Sequence, residues 1–245
     1  MASTEPHRPL ARGLARRTPG TVRILHTSDI HVGDSVDHSG VVAPLVDAAI
    51  SRQVDLLLLV GDIFDHNRVP TEAGQTLVDE LARLDIPVVV LPGNHDCLVP
   101  DAVWRRVSLP PNVHVLMDAA GEHLEIAELD LALWGRPHPD YGDLRPLAGI
   151  PAPGERRWHV ALAHGHLVLR PDDRHRAYQI TPEEIAASAQ DYIALGHWDV
   201  PHDMSAGAVT AHYSGSASRY GVCALVTLSG EGPARRVDVE RVELG

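Results

Sequence analysis

Five apolar runs in this chain each stop on side chains that can hold a metal ion or move a proton. "HTSDIH" offers Asp29 and His31, "LVGDIFDH" offers Asp62, and "LPGNHDCL" offers Asn94, His95 and Asp96. "ALAHGH" offers His164, and "ALGHWD" offers His197 and Asp199. In open α/β sheets, sites form where strands end at their carboxyl termini, so groups far apart in sequence are expected to converge. Asp, His and Asn without Cys make a hard-to-borderline donor set, suited to Mn, Fe, Zn or Mg rather than to a thiolate-loving metal. Asp29, His31, Asp62, Asn94, His164, His197 and Asp199 are too many for one tetrahedral ion. They suit two ions about 3.5–4 Å apart that share a carboxylate. Asp62 is the natural bridge: a carboxylate has two oxygens, and the preceding Gly61 lets the backbone come close.

Taken singly, these residues have plainer readings. Asp29 and His31 could cap a turn, and Asn94 and Asp96 are turn formers. Convergence lifts them above that. His164 is preferred to His166 because it directly ends its apolar run. His38 and the His66-Asn67-Arg68 stretch are equally consistent with substrate contacts or a solvated loop. Cys97 reads as a small hydrophobe. Arg105, Arg106, Arg156, Arg157, Arg170, Arg174 and Arg176 read as scattered solvated charge rather than one phosphate-attracting patch.

Alternating strand and helix patterns position these groups. Residues 21–27, 55–60 and 87–91 read as buried strands, with helices over 39–52 and 71–84, the latter with Thr71 as N-cap. This alternation predicts a parallel sheet covered on both faces. The second half is strand-rich, with candidates at 113–116, 123–127, 131–134, 159–163, 192–195, 209–213, 222–228 and 237–242. "TPEEIAAS" interrupts them as a helix start, with Thr181 as N-cap, Pro182 at the first position and Glu184 closing a capping box. The Pro/Gly-rich stretch 136–155 reads as a functional lid or mobile loop. The fold class expected is α/β: a two-sheet β-sandwich flanked by helices, four layers α/β/β/α, in a single domain over 21–245. Residues 1–20 read as a disordered basic tail; they lack the apolar stretch of a secretory signal.

Composition narrows the function. Apolar residues make up 44% and charged residues 22%, as in ordinary globular domains. No apolar window is long enough to span a membrane. Two cysteines, Cys97 and Cys223, make no disulfide framework, which suggests a reducing, cytoplasmic setting. All 21 basic residues are Arg, and the net charge is −12, which disfavours non-specific binding to a polyanion such as nucleic acid. Sixteen histidines are an unusual count that itself points towards metal ligation.

D-x-H, G-D, G-N-H-D, H and G-H-x-D, in this order, resemble the calcineurin-like metallophosphoesterase superfamily. The flanking "LHTSDIH", "GDIFDHNRVP", "YIALGH" and "YSGSAS" are most similar to the branch containing bacterial DNA-repair exonuclease subunits. The resemblance implies two divalent metal ions, manganese first, with Fe, Zn or Mg as alternatives. Asp29 and His31 would bind one ion and Asn94, His164 and His197 the other, with Asp62 between them. It implies attack on a phosphate ester by a metal-bridged hydroxide, His95 assisting the leaving group and Asp96 orienting His95. The family's last block ends in His, and here Asp199 stands in that place. Asp199 is then the first candidate to complete the first metal's shell, His202 the second, and water the third.

These readings predict a metal-dependent phosphoesterase, a phosphodiesterase before a monoesterase, with a phosphate-ester substrate and no membrane partner. The alternatives are an inactive binding module on the same fold, or a nuclease acting on DNA ends. His95 argues against the first. The acidic balance, and the lack of length for a capping domain after "RRVDVERVELG", argue against the second. The substrate's other half and the oligomeric state are not legible.

Overall fold

The run Leu56–Val60 is buried along its entire length in the computed structural model, which describes residues 20–33 and 39–245. Burial on both faces is what a central parallel strand requires, and each leucine removed from water contributes about 1.5–3 kcal/mol. The tail expected at 1–20 lies outside the described residues except for Gly20, and so does His38.

The first half comprises β1 (Val22–Thr27), α1 (Val42–Ser51), β2 (Leu56–Val60), α2 (Thr71–Leu81), β3 (Val88–Leu91), α3 (Val103–Arg106) and β4 (Val113–Val115). Then follow β5 (Glu122–Ile126), β6 (Leu131–Gly135), β7 (Trp158–His164), β8 (His166–Leu167) and β9 (Gln179–Ile180). The chain continues with α4 (Pro182–Ala187), β10 (Tyr192–Gly196), β11 (His202–Asp203), β12 (Thr210–Tyr213), α5 (Ala217–Tyr220), β13 (Val222–Ser229) and β14 (Arg236–Glu243).

Two six-stranded mixed sheets result, in the orders β14-β13-β1-β2-β3-β4 and β11-β12-β10-β7-β6-β5. The expected parallel core is present in both: β1, β2, β3 and β4 run parallel, and so do β6, β7, β10 and β12. Antiparallel strands close the edges. Between the sheets lies a core that includes Ile24, Leu58, Val89, Leu133, Leu162 and Ala194. A second core, with Leu45, Leu77, Val78 and Trp104, joins the first sheet to α1, α2 and α3. A third, with Ile185, Ile193, Leu147 and Ile180, covers the outer face of the second sheet with α4 and the 136–155 loop. The layers are those expected, in a single domain.

Three local expectations need correction. Thr71 is inside α2 rather than capping it: Pro70 holds the N-cap position, and the Thr71 hydroxyl accepts from Arg106 Nη1 at 2.7 Å. The helix ends at Leu81, although Leu84 is still buried against the same core. The 136–155 loop is not free along its whole length: Leu144 and Leu147 are buried and His138 donates from Nε2 to the His164 carbonyl at 2.9 Å, while residues 151–155 are exposed. At α4 the expected capping box is present: the Thr181 hydroxyl accepts from the Glu184 N–H, and the Glu184 carboxylate accepts from the Thr181 N–H.

His26 on β1 and Tyr192 on β10 link the sheets across the buried core, with Nδ1 2.8 Å from the phenol oxygen. Burial, then the charge of His212, pushes the His26 imidazole down to about 3 from an ordinary 6.5. The folded protein therefore holds it neutral while the unfolded chain protonates first. Stability is complete above pH 6.5 and falls by about 1.4 kcal/mol per pH unit below it. Urea denaturation between pH 7 and pH 4.5 should show this loss, with a shallower dependence in His26→Gln. Equal pH slopes in the two proteins would contradict the assignment.

Candidate metal centre

Every predicted ligand sits at or just beyond the carboxyl end of a parallel strand, and the two sheets bring these ends together. Asp29 and His31 follow β1, Asp62 follows β2, and Asn94 and His95 follow β3. His164 is the last residue of β7, and His197 follows β10. The turns that aim them are strained. Asp29, His31, Asp62 and His197 have φ of 53°, 55°, 53° and 103°, half of the eight non-glycine residues with positive φ among those described. Such conformations cost on the order of 1–3 kcal/mol each and persist only where their surroundings hold them. Here the holding contacts run between the ligands. The His197 N–H donates to Asp29 Oδ2 at 2.9 Å, the His95 N–H to Asp62 Oδ1 at 2.8 Å, and the His31 N–H to the Asp62 carbonyl at 3.0 Å.

Glycines let the strand ends approach. A Cβ on Gly61 would lie 2.0 Å from His164 Nδ1, and one on Gly93 would lie 2.3 Å from Asp62 Oδ1. The expectation that Gly61 serves close approach is thus met by the His164 ring.

Three sets of side chains have donor atoms within 4.8 Å of one another: Asp29, His31 and Asp62; Asp62, His164 and His197; and His31, Asp65 and His95. Asp62 belongs to the first two, as a bridging carboxylate must. His164 Nδ1 donates to the Val60 carbonyl at 3.0 Å, and Nε2 lies 3.1 Å from Asp62 Oδ2 as an ion pair. A metal ion bound at Nε2 would displace the proton that this pair shares. Asn94 Oδ1 is buried without a hydrogen-bond partner. Buried polar atoms are nearly always satisfied, so this acceptor, set among the three groups of donor atoms, fits a divalent cation.

The electrostatics agree. Burial opposes charge on His164, but the Asp62 and Asp29 carboxylates outweigh it and push the imidazole up to about 9. Burial would raise Asp62, yet His164 and His95 hold it well below the usual carboxylate range. Asp29 is pushed up to about 6 by burial, against the pull of His164. Burial, then the charge of His164, pushes His197 down to about 3, which leaves it a neutral imidazole fit for ligation. The centre gathers more buried negative charge than the side chains themselves neutralise.

Of the remaining expected residues, the structure keeps three away from the place assigned to them. Asp96 is fully buried, but its carboxylate does not orient His95. It accepts from the backbone N–H groups of Asp62, Ile63, Phe64 and Gly93 and from the Trp104 indole, at 2.7–3.4 Å. Its work is to fold the Asp62 turn onto the Gly93 turn. Asp96→Ala orphans these donors and should lower unfolding stability by about 3 kcal/mol or more, measured by thermal melting in chelator. An unchanged melting point would contradict this role. His95 is held instead by Asp65, whose carbonyl accepts from Nδ1 at 2.7 Å and whose carboxylate lies 3.4 Å from His31 Nδ1. Asp65, in "GDIFDH", was missed because nothing in its spacing separates it from a loop acid.

Asp199 is the second. Its carboxylate pairs with Arg219 Nη1 at 2.5 Å and belongs to none of the three ligand sets among the described residues. His202 is the third: it is exposed on β11 and lines a separate cleft with His212 and Cys223. His166 accepts from the Trp198 indole at 3.2 Å, leaving His164 to face Asp62. Asn67 is buried and braces the Cys97 carbonyl and the Val103 N–H. Arg105 and Arg106 bond to nearby carbonyls, and Arg156 pairs with Glu125, so no phosphate patch forms from them.

The centre opens as a cleft of about 400 Å³ lined by Asp29, His31, Asp62, His95, His197 and Arg219, among others. No helix among the described residues is long and apolar enough to cross a membrane.

Comparison with known proteins places this geometry. The calcineurin-like phosphoesterase family matches residues 22–201. The uncharacterized metallophosphoesterase YhaO of Bacillus subtilis is 30% identical over 187 residues, covering 71% of this chain and 44% of the relative. A subunit of the SbcCD nuclease from the same organism is 25% identical over 244 residues, covering 81% of this chain and 62% of the relative. The chain thus spans about half the length of the curated relatives it matches. The crystal structure of TT1561 of Thermus thermophilus superposes with a TM-score of 0.59 at 14% identity, over 92% of this chain and 100% of that one, which supports the fold.

Proposed function

Because this chain belongs to the calcineurin-like phosphoesterase family, we propose that its cleft binds two divalent ions, manganese first, and hydrolyses a phosphodiester. The observation that carries this reading is the convergence of Asp29, His31, Asp62, His164 and His197 at the strand ends, with Asp62 common to two sets of donor atoms that lie within 4.8 Å of one another. Asp29, His31 and Asp62 would hold one ion; Asp62, Asn94, His164 and His197 would hold the other. Divalent ions bound there would draw charge from the phosphoryl oxygens and acidify a water for attack.

The chain's own residues do the rest. His95 Nδ1 donates to the Asp65 carbonyl, which leaves Nε2, 4.0 Å from Asp62 Oδ2, as the atom that carries or releases a proton towards the cleft. Its side chain is 44% exposed, so it can reach a bound ester. In the imidazolium form, Nε2 donates its proton to the leaving oxygen as the P–O bond breaks.

A diester is favoured over a long DNA duplex. Asp29, Asp62, Asp65 and Asp199 line the cleft, and the net charge of −12 repels an extended polyanion. A single phosphodiester, carrying one charge, meets the least repulsion. The relative named as a nuclease subunit keeps cleavage of short nucleic-acid ends within the same chemistry.

The test is to strip the protein with chelator, return Mn²⁺, and compare a chromogenic phosphodiester with the matching monoester. Turnover of the diester restored by metal supports the reading. Absence of turnover with any divalent ion contradicts it.

A further inference from the structure

The cleft contains a cation that the ligand pattern does not call for. Arg219, on the four-residue α5, lines the cleft beside Asp29, Asp62 and His95, and its side chain is 65% exposed. It is fixed to the metal centre at two points. Through its backbone, its N–H donates to Ser216 Oγ at 3.1 Å, and the same hydroxyl donates to the Asp29 carbonyl at 2.7 Å. Through its side chain, Nη1 donates to Asp199 Oδ2 at 2.5 Å, while the Asp199 carbonyl accepts from the Ser216 N–H at 2.8 Å. Asp199 and α5 therefore brace each other, and both are tied to the turn that presents Asp29.

We propose that Arg219 is a substrate-binding residue that takes a non-bridging phosphoryl oxygen of the ester, and that Asp199 is its positioning residue rather than a metal ligand. This rests on the phosphoesterase reading above. A guanidinium has five N–H donors in a planar fork, and one terminal nitrogen held by Asp199 leaves the others for an anion. A carboxylate at this position pins a long, flexible side chain that would otherwise lose entropy on binding. The pair has no net charge, so it supplies hydrogen-bond donors without making the cleft attractive to polyanions at long range. The substitution of Asp for the histidine of the last block then has a use: it exchanges an imidazole donor to metal for a partner to Arg219.

The experiment uses the full chain loaded with Mn²⁺, with bound metal counted by elemental analysis and inorganic phosphate titrated by calorimetry. Arg219→Ala should keep the wild-type metal content and bind phosphate about 10- to 100-fold more weakly, the scale of a lost charge-assisted hydrogen bond. Asp199→Ala should also keep the wild-type metal content and should weaken phosphate binding by less than Arg219→Ala does. Loss of one ion in Asp199→Ala would make Asp199 a ligand and overturn the proposal. So would wild-type phosphate affinity in Arg219→Ala. Wild-type protein that takes up no manganese would contradict the metal assignment separately. Phosphate titration of that protein then decides Arg219: affinity lost in Arg219→Ala supports the contact, and affinity absent or unchanged overturns it.

Discussion

Asp62→Asn should lose both manganese ions and reduce diester turnover by at least about 10³-fold, since electrostatic stabilisation at the reacting phosphoryl group is the greatest single contribution such a site makes. The size of the effect follows from where Asp62 stands. It is 2% exposed, shared by two of the three ligand sets, and within 3.1 Å of His164 Nε2. An amide retains an oxygen to accept from the His95 N–H, so the turn can still fold. What is lost is the charge that draws His164 up to about 9 in the metal-free protein. The imidazole pKa should accordingly fall in Asp62→Asn, which NMR titration of the metal-free protein can follow. Full metal content in this variant would show that the carboxylate is not shared.

The second large effect separates proton delivery from metal binding. His95→Gln should retain its ions, because this side chain is half exposed and bonded through Nδ1 to the Asp65 carbonyl rather than buried among Asp62, His164 and His197. Turnover should fall by about 10²–10⁴-fold, the usual contribution of a positioned acid. The loss should depend on the leaving group. An alkyl ester needs a proton at the departing oxygen and should show the full defect, whereas a nitrophenyl ester, whose anion is stable, should show much less. Equal defects on both esters would assign His95 to charge stabilisation or ligation instead, and metal lost along with activity would point to ligation.

The features legible in the sequence are those with local causes. Leu56–Val60 and Val88–Leu91 read as buried parallel strands because continuous apolar runs have few other uses. The α4 start was legible because its cap is made by residues three apart. The convergence of Asp29, Asp62, His164 and His197 followed from the rule that strand ends share one edge of a parallel sheet. Other features depend on tertiary contacts without a periodic signature. Asp199 reads as a metal ligand because it follows a strand end and stands where the resemblance implies the last block's ligand. Its partner is Arg219, twenty residues on along a four-residue helix. Asp96 was recognised as belonging to the site, but its role depends on which backbone N–H groups the β2 and β3 turns aim at it. Asp65 was passed over because a backbone carbonyl makes its closest contact, and any residue type offers one. Two-residue strands such as β8 and β11 carry too few side chains to show alternation.

The central claim is that a bridging Asp62 organises two ions between the sheets. Diffraction from crystals soaked in Mn²⁺, recorded at the manganese absorption edge, tests it most directly. The account predicts two anomalous peaks about 3.5–4 Å apart. One should touch Asp29, His31 and Asp62, and the other Asp62, Asn94, His164 and His197. An empty cleft, a single ion that leaves Asp62 unshared, or peaks confined to His202, Asp203 and His212 would contradict it.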